Sequence, residues 1–164
     1  VSKAAFEFYL PLYLKYHHVR YTILRYANVY GPRQDPYGEA GVVAIFTGRM
    51  LAGEKVTING SGEQQRDFVY VGDLAQASVL ALTKGDGGTY NIGTGVGTSI
   101  NTLFAEVKHI VASDQPEAHG PAKEGEVFKI WLTAERARRD LGWQPTTDLR
   151  QGLQLTADFF RAKR

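Results

Sequence analysis

Thr22-Ile23-Leu24-Arg25-Tyr26-Ala27-Asn28-Val29-Tyr30-Gly31-Pro32-Arg33-Gln34 is the stretch whose reading decides the fold. It begins as an apolar run of the kind a buried strand makes, and it ends in polar residues and a Gly-Pro break. In an open α/β sheet, ligands bind just beyond the carboxyl ends of the strands, so the polar residues at this end are candidate ligand contacts. An ordinary strand followed by a turn has the same periodicity, and the run alone does not separate the two readings.

Outward from this stretch the pattern alternates. Upstream, residues 2–17 read as a helix, with Ala4, Ala5, Phe8, Leu12 and Tyr16 at helical spacing. Pro11 predicts a kink there, or two shorter helices. His17 and His18 suit the negative end of a helix dipole better than a metal, since no carboxylate or third histidine lies nearby in sequence. Residues 19–30 read as a strand. Downstream come a helix over 42–52 stopped by Gly53, and strands over 56–58 and 68–71. A helix capped by Asp73 follows, then a strand over 89–92 and a helix capped by Ser99 or Thr98. Residues 127–132 read as strand-like. Thr133 caps a further helix, Gly142-Trp143 stops it, and a last helix covers about 149–160. Strands alternating with helices predict an α/β or α+β chain.

Composition excludes several classes. The chain has 164 residues, enough for one domain with a sizeable core, and 43% of them are hydrophobic against 22% charged, which is globular rather than disordered. A net charge of +2 gives no case for nucleic acid, and Arg136, Arg138 and Arg139 read as a solvated helix face. No cysteine is present, so disulfides and thiolate chemistry are excluded. No apolar run approaches ~18 residues, so no membrane span is expected. There is no signal-peptide pattern and no Met at position 1; the chain reads as a piece of something longer, of cytoplasmic origin.

Several stretches, in order, carry a resemblance: Val1-Ser2-Lys3, then Leu24 to Gln34 as quoted above, then Gly62-Glu63-Gln64-Gln65-Arg66-Asp67-Phe68-Val69-Tyr70-Val71-Gly72-Asp73-Leu74-Ala75. Tyr90-Asn91-Ile92-Gly93-Thr94-Gly95 and Leu141-Gly142-Trp143-Gln144-Pro145 follow. Each motif is weak alone, and the ordered set, spread over nearly the whole chain, is specific. It resembles the extended short-chain dehydrogenase/reductase family, in particular its nucleotide-sugar 4-epimerases acting on UDP-glucose or UDP-N-acetylglucosamine. The resemblance implies the C-terminal part of an NAD(P)-binding Rossmann-fold enzyme: the end of the parallel sheet plus the smaller α/β substrate-binding domain. Residues 1–38 would be the last helix and strand of the Rossmann-like part. Residues 39–164 would be mainly substrate-binding, with segments around 66–95 returning to the sheet. No Gly-rich dinucleotide turn is found in a strand-to-helix context, and Gly93-Thr94-Gly95-Val96-Gly97 lies too late in the chain to be one.

The resemblance also implies roles. Lys3 matches the lysine of a Tyr-x-x-x-Lys pair whose tyrosine falls just upstream of Val1. An ammonium one helical turn away stabilises a phenolate, which can then accept a sugar hydroxyl proton. Lys3 would also hold the nicotinamide ribose of NAD, with Tyr26 near the nicotinamide end. Asn28 matches a contact to the sugar-nucleotide phosphates, and Asn59 one on the uridine side. Gly41 and Val42 match a place where backbone groups meet the base. Arg66 matches an arginine that reaches the diphosphate; its bland alternative is a salt bridge with Asp67 or another acid. Lys123-Glu124-Gly125-Glu126 resembles an Arg-x-Gly-Asp/Glu element, in which Lys123 would take phosphate and Glu126 ribose hydroxyls. Lys123 loses the forked geometry of arginine. Phe68 stands where some members carry a tyrosine, so a phenolic contact is missing there. The expected partner is a UDP-sugar, and the full-length enzyme is expected to be a homodimer. In such an enzyme the tyrosine takes a proton while NAD takes a hydride from C4, and the keto-sugar rotates before it is reduced. The isolated chain would not turn over or hold NAD. A dehydratase or decarboxylase of the same family, and a non-catalytic nucleotide-sugar module, remain as alternatives.

Overall fold

The structure, a computed structural model, describes residues 2–37 and 41–163. Its elements alternate as α1 (Ser2–His17), β1 (Ile23–Tyr26), β2 (Asn28–Tyr30), α2 (Val42–Leu51), β3 (Ile58–Asn59), β4 (Gln65–Arg66) and β5 (Phe68–Tyr70). They continue as α3 (Val71–Ala81), β6 (Thr89–Ile92), β7 (Thr98–Ser99), α4 (Ile100–Val111), β8 (His119–Gly120), α5 (Glu135–Leu141) and α6 (Leu149–Ala162). This is the expected α/β class. β1 pairs with β6, β2 with β5 and β3 with β8, all parallel, and β4 pairs with β7 antiparallel. No helix among the described residues is long and apolar enough to cross a membrane.

The β2–β5 ladder explains how short strands can organise the chain. Side chains alternate faces along a strand. Tyr30 and Phe68 enter one core with Phe46 and Met50 of α2, Leu103 and Phe104 of α4, and Leu153 of α6. Val29 and Val69 enter a second core with Tyr90 and Ile92 of β6, Leu141 of α5 and Trp143. Thus one two-stranded wall is shared by two cores. The Tyr30 hydroxyl donates to the Leu149 carbonyl at 3.3 Å, which ties β2 to the start of α6. Burial pushes the ionisation of that phenol upward, with the Asp73 charge adding to the effect.

Several boundaries differ from those expected. α1 is one helix through Pro11, not two. Proline leaves the carbonyl of Glu7, four residues earlier, without its helical donor. No residue of α1 is buried, so the helix lies at the surface around that carbonyl. The strand expected over 19–30 starts at Ile23 and breaks at Ala27, because the backbone changes partner there. The Ala27 N–H still donates to Ile92 of β6, whereas the Asn28 N–H donates to Asp67, beside β5. The strand expected over 56–58 shifts to Ile58–Asn59, since the Val56 N–H is taken by the Gln115 side chain at 3.2 Å. Residues 127–132 make only a single parallel bridge, Lys129 to Gln65.

The caps also moved. α3 starts directly from β5 with extended Tyr70 as its cap, and Asp73 sits inside the first turn with its carboxylate used elsewhere. α5 starts after Ala134, not Thr133. Ser99 caps α4, accepting from the Thr102 N–H, and Asp148 caps α6 through the Gln151 N–H. α2 ends with Ala52 in helical conformation, and Gly53 follows at φ +70°, a left-handed exit that glycine makes without strain.

Candidate functional site

All of the expected site residues except Gly41 and Val42 fall into two groups. The first flanks β1. Lys3, Phe6, Glu7 and Leu10 recur at helical spacing and form one face of α1. With Thr22 to Tyr26 they line a cleft of about 700 Å³. Lys3 and Tyr26, distant in sequence, are therefore brought into one cavity. The helix is anchored by a two-pronged ion pair: Arg25 Nε donates to Glu7 Oε1 at 3.0 Å and Arg25 Nη2 to Glu7 Oε2 at 2.5 Å. The hydrogen bond from Arg25 holds the Glu7 carboxyl below the usual carboxylate range, and Arg25 is raised in return.

The second group gathers around β3, β4 and the segment 122–132. Arg66 is half-buried at the end of β4. Its Nη1 donates to the Gln65 carbonyl at 2.8 Å and its Nη2 to Glu126 Oε1 at 2.9 Å. The acid that Arg66 meets is thus Glu126, not the adjacent Asp67. Two residues singled out 60 positions apart touch directly. Lys123 is exposed, and its carbonyl accepts from the Glu126 N–H at 3.4 Å. Asn59 is half-buried on β3 with its carbonyl held by Gln64 Nε2 at 2.9 Å. The next residue, Gly60, passes so near Ala122 that a Cβ added to it would lie 3.2 Å from the Ala122 Cβ. This approach brings the end of β3, which carries Asn59, beside the segment that carries Lys123. Asn28 is exposed and joins the group through its N–H, which donates to the Asp67 carbonyl at 2.8 Å, one residue after Arg66.

Gly41 and Val42 stand at the N-terminus of α2, where the first backbone N–H groups have no partner within the helix. A Cβ at Gly41 would come within 2.6 Å of the Gln34 side-chain amide, so Gln34 packs against this entry. Another cavity, of about 620 Å³, lies between the loop Arg33–Tyr37, the α2 face of Ile45 and Arg49, and Phe160 of α6. No expected site residue lines it. Among the described residues no group of three potential ligands could hold a metal ion.

Sequence reading missed Asp67 as a site element. Its carboxylate is 1% exposed. It accepts from the Thr94 N–H at 2.9 Å, the Thr94 hydroxyl at 2.6 Å, the Gly95 N–H at 3.1 Å and the Leu132 N–H at 3.1 Å. The only signal was an acid at the head of an apolar strand, next to an arginine that looked like its partner. Asp73 has the identity of an N-cap, yet its carboxylate accepts from the Thr146 hydroxyl at 2.7 Å and the Thr147 N–H at 3.1 Å. Buried acids satisfied this fully hold segments together and are costly to remove.

Residues 1–93 match the model of the NAD dependent epimerase/dehydratase family. The UDP-glucose 4-epimerase of Mycolicibacterium smegmatis is 45% identical over 164 residues, covering 99% of this chain and 52% of that protein. The crystal structure of the Thermotoga maritima UDP-glucose 4-epimerase with UDP-glucose superposes with a TM-score of 0.96 at 51% identity, covering 98% of this chain and 52% of the other. The Thermus thermophilus UDP-glucose 4-epimerase, solved as a complex with NAD, gives 0.91 at 40% identity, covering 99% and 53%. Proteins named as a dehydratase and a decarboxylase match less closely, at 30% identity each. The chain spans about half the length of the relatives it matches.

Proposed function

The chain belongs to the NAD dependent epimerase/dehydratase family, and from that premise we propose that it is the C-terminal part of an NAD-dependent nucleotide-sugar 4-epimerase of the UDP-glucose type. The observation that carries the proposal is the meeting of Arg66 with Glu126 beside Asn28, Asn59 and Lys123. A guanidinium fork held in place by a carboxylate is ready to exchange part of that contact for diphosphate oxygens. Lys123 adds a second, exposed positive charge, and Glu126 can then accept from ribose hydroxyls. Asn28 donates its amide to a phosphate oxygen without adding charge. Backbone groups at Gly41 and Val42 face the base, and Asn59 meets the uridine side. The closer identity to 4-epimerases than to the dehydratase and decarboxylase supports the choice of reaction.

The chain's share of the cofactor site is the cleft of Lys3 and Tyr26. An ammonium and a phenol beside the apolar wall of Phe6 and Leu10 suit the hydroxyls of a ribose, so these residues fit the nicotinamide ribose end of NAD. When bound, NAD supplies the acceptance and return of a hydride at the sugar carbon. Lys3 would hold positive charge near the proton-accepting tyrosine of the Tyr-x-x-x-Lys pair and hydrogen-bond the ribose, and Tyr26 would border the nicotinamide. The second core packs Leu24, Ala27 and Val29 with Val69, Ala77, Tyr90 and Ile92, which supports a reading in which residues 1–38 belong to a dinucleotide-binding part to which segments around 66–95 return, the remainder being mainly substrate-binding. The reading extends to a homodimer of the intact protein, which the exposed Phe8, Tyr9 and Tyr16 of α1 support as a covered helix. The chain alone is inactive in this account, because a complete cofactor platform needs more than one cleft wall.

Turnover tests the proposal. The chain joined to a dinucleotide-binding half is given NAD and, in separate reactions, UDP-glucose, dTDP-glucose or UDP-glucuronate, and products are separated chromatographically. Formation of UDP-galactose is expected. Loss of water from dTDP-glucose, or of carbon dioxide from UDP-glucuronate, with no UDP-galactose formed, overturns the choice of reaction.

A further inference from the structure

We propose that Asp67 is the positioning residue of the diphosphate grip: it holds the segment that carries Glu126 against Arg66 and so sets the direction of the guanidinium. The inference rests on the reading of Arg66 as the diphosphate contact. In extended backbone, successive side chains leave on opposite faces. Arg66 and Asp67 accordingly reach different places, yet both end on the same stretch of chain. Arg66 takes Glu126, and Asp67 takes the N–H of Leu132, six residues further on. Between these two points the stretch is stitched to Gln65: the Gln65 N–H donates to the Phe128 carbonyl at 2.8 Å, and the Ile130 N–H donates to the Gln65 carbonyl at 3.2 Å. That same Gln65 carbonyl accepts from Arg66 Nη1. A shift of the stretch therefore moves both of the groups that hold the guanidinium.

Asp67 also fixes the other side of the site. Its own carbonyl takes the Asn28 N–H, and its carboxylate takes the turn at Thr94 and Gly95. Four donors from two separate segments converge on one carboxylate that water does not reach. Gly93 records how tight the fit is, since a Cβ there would lie 2.5 Å from Asp67 Oδ2. An amide in place of this carboxylate has one acceptor oxygen and turns an NH2 toward donors, so part of the set must let go. The link through which the carboxylate reaches the stretch that carries Glu126 is the one at Leu132, and its loss leaves the backbone of that stretch held at Gln65 alone.

The test compares Asp67→Asn, the milder Thr94→Val, and Asp73→Asn as a matched control, a 4% exposed carboxylate that ties Thr146 and Thr147 instead. The first readout is the NMR signal of the Arg66 guanidinium, which needs no ligand; the second is affinity for UDP. The proposal expects restricted, separately resolved Nη protons in the wild-type chain and an averaged signal in Asp67→Asn. UDP affinity should fall at least tenfold in that variant and roughly threefold in Thr94→Val. Asp73→Asn should lower the melting temperature but leave the Arg66 signal and the affinity unchanged. An unaltered Arg66 signal in both Thr94→Val and a folded Asp67→Asn overturns the proposal. So does an equal loss in Asp73→Asn. If wild-type chain shows no UDP binding at all, the diphosphate reading of Arg66 fails, while the guanidinium signal still decides whether Asp67 positions it.

Discussion

Replacing Trp143 with phenylalanine should lower stability by about 2 kcal/mol, and the structure says where the loss arises. Gly142 ends α5 at φ +72° and turns the chain back, so that the Trp143 N–H returns to the Ala137 carbonyl at 3.2 Å. The indole then enters the second core at 1% exposure. Its Nε1 donates to the Asp73 carbonyl at 2.8 Å, inside α3. Phenylalanine removes that buried hydrogen bond, costing about 1 kcal/mol. The smaller ring leaves a void of at least methyl size, costing about 1 kcal/mol more. For a chain of this length the sum corresponds to a fall in melting temperature of roughly 4–8 °C. Trp143→Ala should cost about 3–5 kcal/mol, since most of the ring volume goes. Thermal unfolding followed by circular dichroism reads both variants. A melting temperature of Trp143→Phe within about a degree of wild type, against that estimate, would refute the reasoning, because neither the bond nor the packing would then matter.

Other outcomes follow from the same contacts. Gly93→Ala pushes a methyl group onto Asp67 and Leu132; a loss of about 1–3 kcal/mol is expected in denaturant unfolding, as for other overpacked sites, and a neutral result would contradict the tight fit. Glu7→Gln removes the pair that anchors α1, so α1 amides should exchange with solvent faster while those of β6 do not change. The pH dependence has the same origin. Glu7 is lowered by Arg25, so its contribution is complete above the unfolded carboxylate pKa and is lost as pH falls through the lowered folded value. Protection of α1 should therefore fade on acidification, and a flat profile would count against the anchor. Arg66→Lys keeps the charge but loses the fork, so UDP affinity should drop about tenfold, ~1.4 kcal/mol; an unchanged affinity would show that charge alone suffices.

Much of the fold could be read from local chemistry. The strand at residues 89–92 and the helices capped by Ser99 and closed by Gly142 stand where their residues put them, because period and cap are encoded within a few positions. What could not be read depends on partners far along the chain. The break at Ala27 exists because Ile92 of β6 and Asp67, 65 and 39 residues further along the chain, take successive N–H groups. Asp73 has an N-cap residue's identity, but two threonines over 70 positions later occupy its carboxylate. Residues 127–132 have strand composition, yet only Gln65 offers them an edge. The pairing of Arg66 with Glu126 has the same character: each residue was singled out separately, and only the folded chain joins them. Asp67 was hidden by its neighbour, since an Arg-Asp pair in sequence suggests a contact that strand geometry turns to opposite faces.

A titration of the labelled chain with UDP-glucose, followed by amide NMR, tests the central claim most directly. The account predicts that Asn28, Gly41, Val42, Asn59, Arg66, Lys123 and Glu126 shift together along one saturable curve, which Arg66→Ala weakens at least tenfold. Shifts confined to the separate cavity near Arg49 and Phe160, or a curve that Arg66→Ala leaves unchanged, would contradict it.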